Sequence, residues 1–372
     1  MATRLAKFEF QQGFHRETTP YAEGQRWFDG NYVRFRAGRP ENMRGYETRA
    51  SGQTFDGSAR DLITWSDSSS KKRAIFGTPE KLYAHEGDVI YDITPITTVV
   101  TLANVFGTSS GSTRVCCSDA GHGRVVGDYV LFTSSAAFNN VSLQGNTYKI
   151  VSVDSANVFT ISVTDAANAT GSDVGSATFK YYIPTGNSIA AVGLGYGAAR
   201  YQATVCASQT RAWNQPASAG SSGIVFDITQ WSLDNWGEDV VANRKGSNIF
   251  YFESDASVLP TRATSVTTSP VSSNSIIVSP NDRHLICLGT NEFSPTATVS
   301  GTFNPMLVRW SDQDNRSNWV PSVSSTAGEV VLTDGTKIVG AVRSKNAINI
   351  WTDNSLWLME FAGPPFTFRF TQ

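Results

Sequence analysis

Hydrophobic residues along this chain fall in short runs, some alternating with polar residues and some continuous, and most runs end in Gly, Asn, Asp or Pro. That is the pattern of strands separated by turns. The clearest stretch is Trp310–Phe361. A strand ends in Trp310-Ser311-Asp312, and a polar loop carries Trp319. A turn at Asp334-Gly335 then leads into strands over Lys337–Arg343, Ala347–Thr352 and Ser355–Phe361. Trp65-Ser66-Asp67 closes a strand Asp61–Trp65 in the same way, and Trp231 to Trp236 reads as closing Ile224–Trp231. A strand-loop-strand unit returning at irregular spacing predicts a repeated sheet module of the β-propeller kind.

The pattern divides the chain into four parts. Residues 1–50 read as an N-terminal arm in which Tyr32, Arg34 and Arg36 share one strand face and Val33 and Phe35 the other, with Pro40 ending the strand. Residues 51–94 predict a first blade from strands Arg60–Trp65, Arg73–Phe76, Lys81–His85 and Val89–Ile93. Residues 95–186 change character to Ser, Thr, Ala, Gly and Asn around five short strands, which predicts a small β-sandwich or barrel inserted into a propeller loop. Residues 187–372 return to blade-like strands, including Ile189–Gly193, Arg200–Ala207, Asp239–Ala242, Ile249–Glu253, Ser275–Ser279, His284–Gly289 and Met306–Trp310. The final run, Phe366–Phe370, either completes a sheet or marks a cut through a longer protein; four or five countable blades with open edges favour the cut. The fold class is all-β, a propeller-like core carrying an inserted small β domain.

Composition agrees. Only 17% of residues are charged, below the usual quarter, and Ser, Thr, Gly and Asn fill the difference, as in turn-rich β proteins. No apolar run approaches the roughly 18 residues of a membrane span. The N-terminus lacks the apolar stretch of a secretory signal, so synthesis in the cytoplasm is expected. The net charge of −2 is uneven. Residues 1–50 hold nine Lys/Arg against six Asp/Glu, a local +3, and the remainder holds 21 against 26, or −5. A mildly acidic body argues against a general nucleic-acid-coating role. Cys116, Cys117, Cys206 and Cys287 include no CxxC, and all four read as buried or half-buried thiols.

Little in the sequence suggests a reaction. Arg34, Arg36 and Arg39 could grip phosphate or a partner's carboxylates, or could pair locally with Asp29 and Glu41. Asp312 and Asp314 begin like a calcium loop, but Arg316 stands where an acid or Asn is needed. Ser311 to Trp319 is out of register with the Asp-box of sialidases. Asp234 and Glu238 flank Trp236 without the spacing that glycoside hydrolysis requires. His122 sits between two glycines as a turn residue, and Gly193 to Gly197 lacks the context of a phosphate loop. No catalytic residue, metal or cofactor is expected. Trp65, Trp231, Trp310 and Trp319 read as scaffold markers.

The run from Gly24 to Tyr46, GQRWFDGNYVRFRAGRPENMRGY, resembles a segment near the start of the tail nozzle, or packaged-DNA stabilisation, proteins of short-tailed bacteriophages. Residues 305–361 resemble that family too, from the strand ending in Trp310-Ser-Asp through Asp334-Gly-Thr-Lys-Ile-Val-Gly340 to Trp357-Leu-Met-Glu. The inserted segment looks like a β module carried by phage virion proteins. The resemblance implies a structural virion protein, a homo-hexameric ring below the portal and adaptor. The ring would extend the exit channel, help to close it, and pass double-stranded DNA without sequence-specific contact. Arg26, Arg34, Arg36, Arg39 and Arg44 would then face neighbouring subunits or the adaptor. Competing expectations are a receptor-binding or adhesin module built on residues 95–186, and a carbohydrate-binding or carbohydrate-hydrolysing propeller.

Overall fold

The computed structural model describes residues 11–372 apart from 18, 20, 22–25, 44, 46–49, 51, 186–229, 255–260, 297–300 and 364–365. The strands expected over Ile189–Gly193 and Arg200–Ala207 lie outside the described residues, as do most of Ile224–Trp231. Every described element is a strand. The chain divides into two compact units, Met1–Gly52 and Gln53–Gln372.

The first unit holds a hairpin of β1 (Val33–Arg36) and β2 (Arg39–Asn42). Ala37 and Gly38, at φ 48° and 78°, make a two-residue turn with both centres left-handed, the form that matches strand twist. The register pairs Arg34 with Glu41, Phe35 with Pro40 and Arg36 with Arg39. Two expectations are corrected here. Tyr32 is left-handed, at φ 56°, so the alternation begins at Val33. Pro40 does not end the sheet: it lies within β2, where its missing N–H is tolerated on an edge. Phe14 meets Phe35 edge-on, 5.3 Å between ring centres. It also crosses Gly30, where an added Cβ would stand 2.7 Å from the Phe14 ring.

The second unit contains four antiparallel four-stranded sheets, each a meander in chain order, and one barrel. The first sheet is β3 (Asp61–Ser66), β4 (Lys72–Gly77), β5 (Leu82–Glu86) and β6 (Val89–Asp92). The barrel follows as β7 (Ile96–Thr108), β8 (Arg114–Ser118), β9 (Tyr129–Ser135), β10 (Thr147–Ser155), β11 (Val158–Ser162) and β12 (Gly171–Tyr182). The second sheet is β13 (Trp231–Trp236), β14 (Asp239–Arg244), β15 (Ile249–Phe252) and β16 (Thr264–Ser265). The third is β17 (Ser273–Val278), β18 (Leu285–Asn291), β19 (Phe303–Trp310) and β20 (Gly328–Val331). The fourth is β21 (Ile338–Arg343), β22 (Ala347–Thr352), β23 (Leu356–Phe361) and β24 (Phe368–Thr371). Trp231 therefore opens a strand; the WS motif at that site does not close one. Phe368–Thr371 is the outer strand of a complete four-stranded sheet.

The first strand of each sheet lies against the first strand of the next, β3 to β13 to β17 to β21. That is blade packing, with first strands at the axis, and the fold is all-β and propeller-like. Neighbouring residues explain how the stack holds. Val240 and Ala242 pack toward the first blade, and Val241 toward the third. Ile286 and Leu288 pack toward the fourth blade, and Leu285 and Cys287 toward the second. A middle blade is covered on both faces, so its strands read as continuous apolar runs. Burying each such Ile or Leu contributes about 1.5–3 kcal/mol.

The six barrel strands close in the order β10-β11-β8-β7-β12-β9, with β9 pairing back to β10. Phe106, Phe132, Phe159 and Phe179 fill its interior, each almost wholly buried. The two ends of the segment are hydrogen-bonded neighbours: Ile96 pairs with Tyr182, and the Ile183 amide donates to the Pro95 carbonyl at 3.0 Å. A strand entering and a strand leaving side by side let a whole barrel interrupt a propeller loop. Within it Cys116 is disulfide-bonded, which corrects the reading of four thiols, while Cys117 and Cys287 are free and buried.

Candidate interaction surface

In the first unit the hairpin presents its arginines on one exposed face. Arg34 pairs with Glu41, Nη2 to Oε2 3.2 Å. Arg26 donates to the Gln11 side chain at 2.7 Å, and Arg16 is bound to Asp29. The Arg16 guanidinium, with the Gly30 amide, holds the Asp29 carboxyl below its ordinary value. Arg36 and Arg39 stand directly opposite each other, and among the described residues neither has an ion pair or side-chain hydrogen bond. Arg44 lies outside the described residues. An open groove lined by Arg34, Arg36, Glu41, Asn42 and Met43 runs along this face. Guanidinium forks in such a groove can bind planar oxyanions bidentately.

In the second unit the charged groups hold strands and loops together. Asp61 on β3 accepts from the Leu233 amide on β13 at 2.9 Å. Asp234 on β13 accepts from the Val278 amide on β17 at 2.7 Å and from Arg343 on β21 at 2.7 Å. One carboxylate at each of these junctions thus clasps the axial strand of the next blade. Burial pushes both carboxyls above their ordinary values, and the amide bonds, with Arg343 at Asp234, offset only part of it.

The aspartates of the Trp310–Trp319 loop are likewise engaged. Asp312 Oδ1 accepts from the Thr326 amide (2.8 Å), the Thr326 hydroxyl (2.7 Å) and the Gln313 amide (3.0 Å), and Oδ2 accepts from Asn318 (3.1 Å). Burial raises the Asp312 carboxyl, but these four donors outweigh it and the net shift is downward. Asp314 pairs with Arg283 at 2.8 Å. Thr326 Oγ1 lies 3.0 Å from His284 Nε2, and His284 Nδ1 meets the Asp282 carboxylate, itself bonded to Ser279. These contacts tie the loop after β17 to the loop after β19.

The tryptophans pack among the sheets. Trp231 donates from Nε1 to the Thr78 carbonyl at 2.8 Å and lies on Gly77, where no Cβ would fit. Trp310 donates to the Thr326 carbonyl at 2.8 Å across Gly328. Trp319 is 1% exposed between the second and third blades, and Trp65 is half-buried against the core of the first two blades. His122 is buried, with Nε2 3.2 Å from the Ser155 carbonyl and Nδ1 accepting from the Arg124 amide at 3.0 Å.

One cluster escapes any reading of the sequence. Where the barrel meets the first blade, Glu80 binds the Tyr129 hydroxyl and, at 2.8 Å, Lys149. Beside it Asp92 accepts from the Tyr182 hydroxyl at 2.8 Å and from Arg262 at 3.2 Å, and Arg262 lies over the Tyr182 ring, 4.5 Å from its centre. Burial, then the Asp92 charge, pushes the Tyr182 hydroxyl up to about 12. Asp92 and Arg262 are 170 positions apart, so no local pattern could have joined them.

Among the described residues no group of His, Cys, Asp and Glu has metal-binding geometry, and no helix is long and apolar enough to cross a membrane. No protein-family model matches the chain, and no curated protein does. Solved structures similar to it include the phage phi92 endosialidase, at 15% identity and a TM-score of 0.23 over 88% of this chain. The chain spans 45% of that structure's length.

Proposed function

We propose that this chain is a structural protein of a bacteriophage virion, a tail nozzle subunit that forms a ring below the portal and adaptor and extends the DNA exit channel. The observation that carries the reading is the fold of the segment that resembles the nozzle family. Within it, Val33–Asn42 forms a compact hairpin that holds its hydrophobic side chains on one face and exposes its arginines on the other. The propeller-like body supports the same reading, because the carboxylates of its axial strands, Asp61 and Asp234, serve as blade-to-blade clasps. A mildly acidic wall would repel the DNA backbone and let it slide. Double-stranded DNA, the portal and the adaptor are the partners of this reading, the virion tail is its location, and a hexamer is its assembly.

A receptor-binding role for the barrel is the second reading. The barrel joins the body through two adjacent strand ends, Ile96 and Tyr182, and presents polar turns such as Asn139-Asn140 and Gly145-Asn146. Both readings are tested by electron-microscopic class averages of the purified chain together with a host-cell binding assay. A six-fold ring without cell binding supports the nozzle, and cell binding blocked by antibodies against the barrel supports the receptor role. A monomer that hydrolyses glycans overturns both.

A further inference from the structure

We propose that Arg36 and Arg39, at the tip of the hairpin, dock onto paired carboxylates of an acidic protein partner. The inference rests on reading the hairpin as an interface and names the chemistry that the interface recognises.

Directly opposed residues of an antiparallel pair hold their Cβ atoms about 4.5–5.5 Å apart, and like charges placed there repel. Arg36 and Arg39 occupy such a pair. One step along the same face the equivalent pair is Arg34 with Glu41, a matched ion pair at 3.2 Å. Arg16 and Arg26 are also matched, by Asp29 and Gln11. The two tip arginines are exposed, and among the described residues they have no acceptor. The left-handed turn at Ala37-Gly38 keeps the strands close, so the two side chains cannot separate by opening the hairpin. A partner that supplies oxyanions removes the repulsion and satisfies two planar forks at once.

The neighbourhood favours carboxylates over a nucleic-acid backbone. Affinity for DNA rises with the number of phosphates neutralised, so it needs an extended basic track. Here the basic tip is two residues wide, and Glu41 borders it one step along the same face. Two bidentate arginine–carboxylate pairs fit that footprint.

The test uses the full chain and a fluorescently labelled hexaglutamate peptide, with a twenty-base-pair DNA duplex as competitor. Saturable peptide binding that weakens at ~0.5 M salt is expected. The R36S/R39S double variant should lose about fivefold to tenfold in affinity, and R36K/R39K should retain part of it. Arg369→Ser removes an exposed charge elsewhere and should change nothing. Circular dichroism confirms that each variant is folded. Peptide binding that R36S/R39S leaves unchanged, no binding at all, or displacement by DNA at lower concentration than by unlabelled peptide overturns the proposal. A six-fold ring seen alongside any of these failures leaves the nozzle reading standing.

Discussion

At the scale of single residues, the carboxylates of this protein differ in what ionisation costs them. Asp234 is nearly inaccessible, and burial raises its carboxyl despite its bonds to Val278 and Arg343. Asp312 is shifted the other way by its four donors. A carboxyl raised by folding contributes stability that is complete below its unfolded value and is lost as pH climbs through the folded value. A lowered one contributes above its unfolded value and loses the contribution as pH falls. The melting-temperature gap between wild type and Asp234→Asn should therefore shrink from about pH 3 to about pH 7, while the gap for Asp312→Asn should widen. Gaps that run parallel would show that neither environment is as described. The sequence marked Asp312 through its motif and Asp234 through its neighbour Trp236, but their opposite environments depend on strands that are distant in sequence.

Strands and hairpins were the most legible level. The first blade's four strands match their expected positions to within about two residues, because Gly, Asp and Pro mark the turns between them. Two features were misread for local reasons. Pro40 signals a strand end only in a central strand, and β2 is an edge. Trp231 repeats the WS dipeptide at the opposite end of a strand, where it lies on Gly77 of the neighbouring blade. That close approach makes Gly77 a sensitive position. Gly77→Ala should lower unfolding stability by about 1–3 kcal/mol in urea titrations, because the added methyl overlaps the Trp231 ring. Gly340→Ala, whose new methyl meets nothing within 4 Å, should stay within about 0.5 kcal/mol of wild type.

For the molecule as a whole, the attachment of the barrel to the first blade was invisible in the sequence. Glu80, Asp92, Tyr129, Lys149, Tyr182 and Arg262 form one polar cluster, and none belongs to a motif. Two side-by-side strands alone would act as a hinge, and the cluster braces it. Replacing Glu80→Gln and Asp92→Asn together should leave both the barrel and the sheets folded while loosening their relation. Small-angle scattering should then show a larger maximum dimension, and limited proteolysis should cut faster between residues 93 and 96. Unchanged scattering and cleavage would mean that the strands themselves hold the barrel rigid.

The sequence by itself determined the all-β class, the position of most turns, an arginine-bearing strand and the small β segment within a propeller-like chain. These follow from periodicity and turn chemistry, which act over a few neighbouring residues. The tertiary structure alone decided which strands are buried on both faces, which aspartate clasps which blade, and which aromatic side chain needs a glycine beneath it. It also decided that Arg36 and Arg39 face each other, because register across a two-residue turn sets that pairing. Such facts depend on contacts between positions from three to 172 residues apart, and a linear pattern carries no record of them.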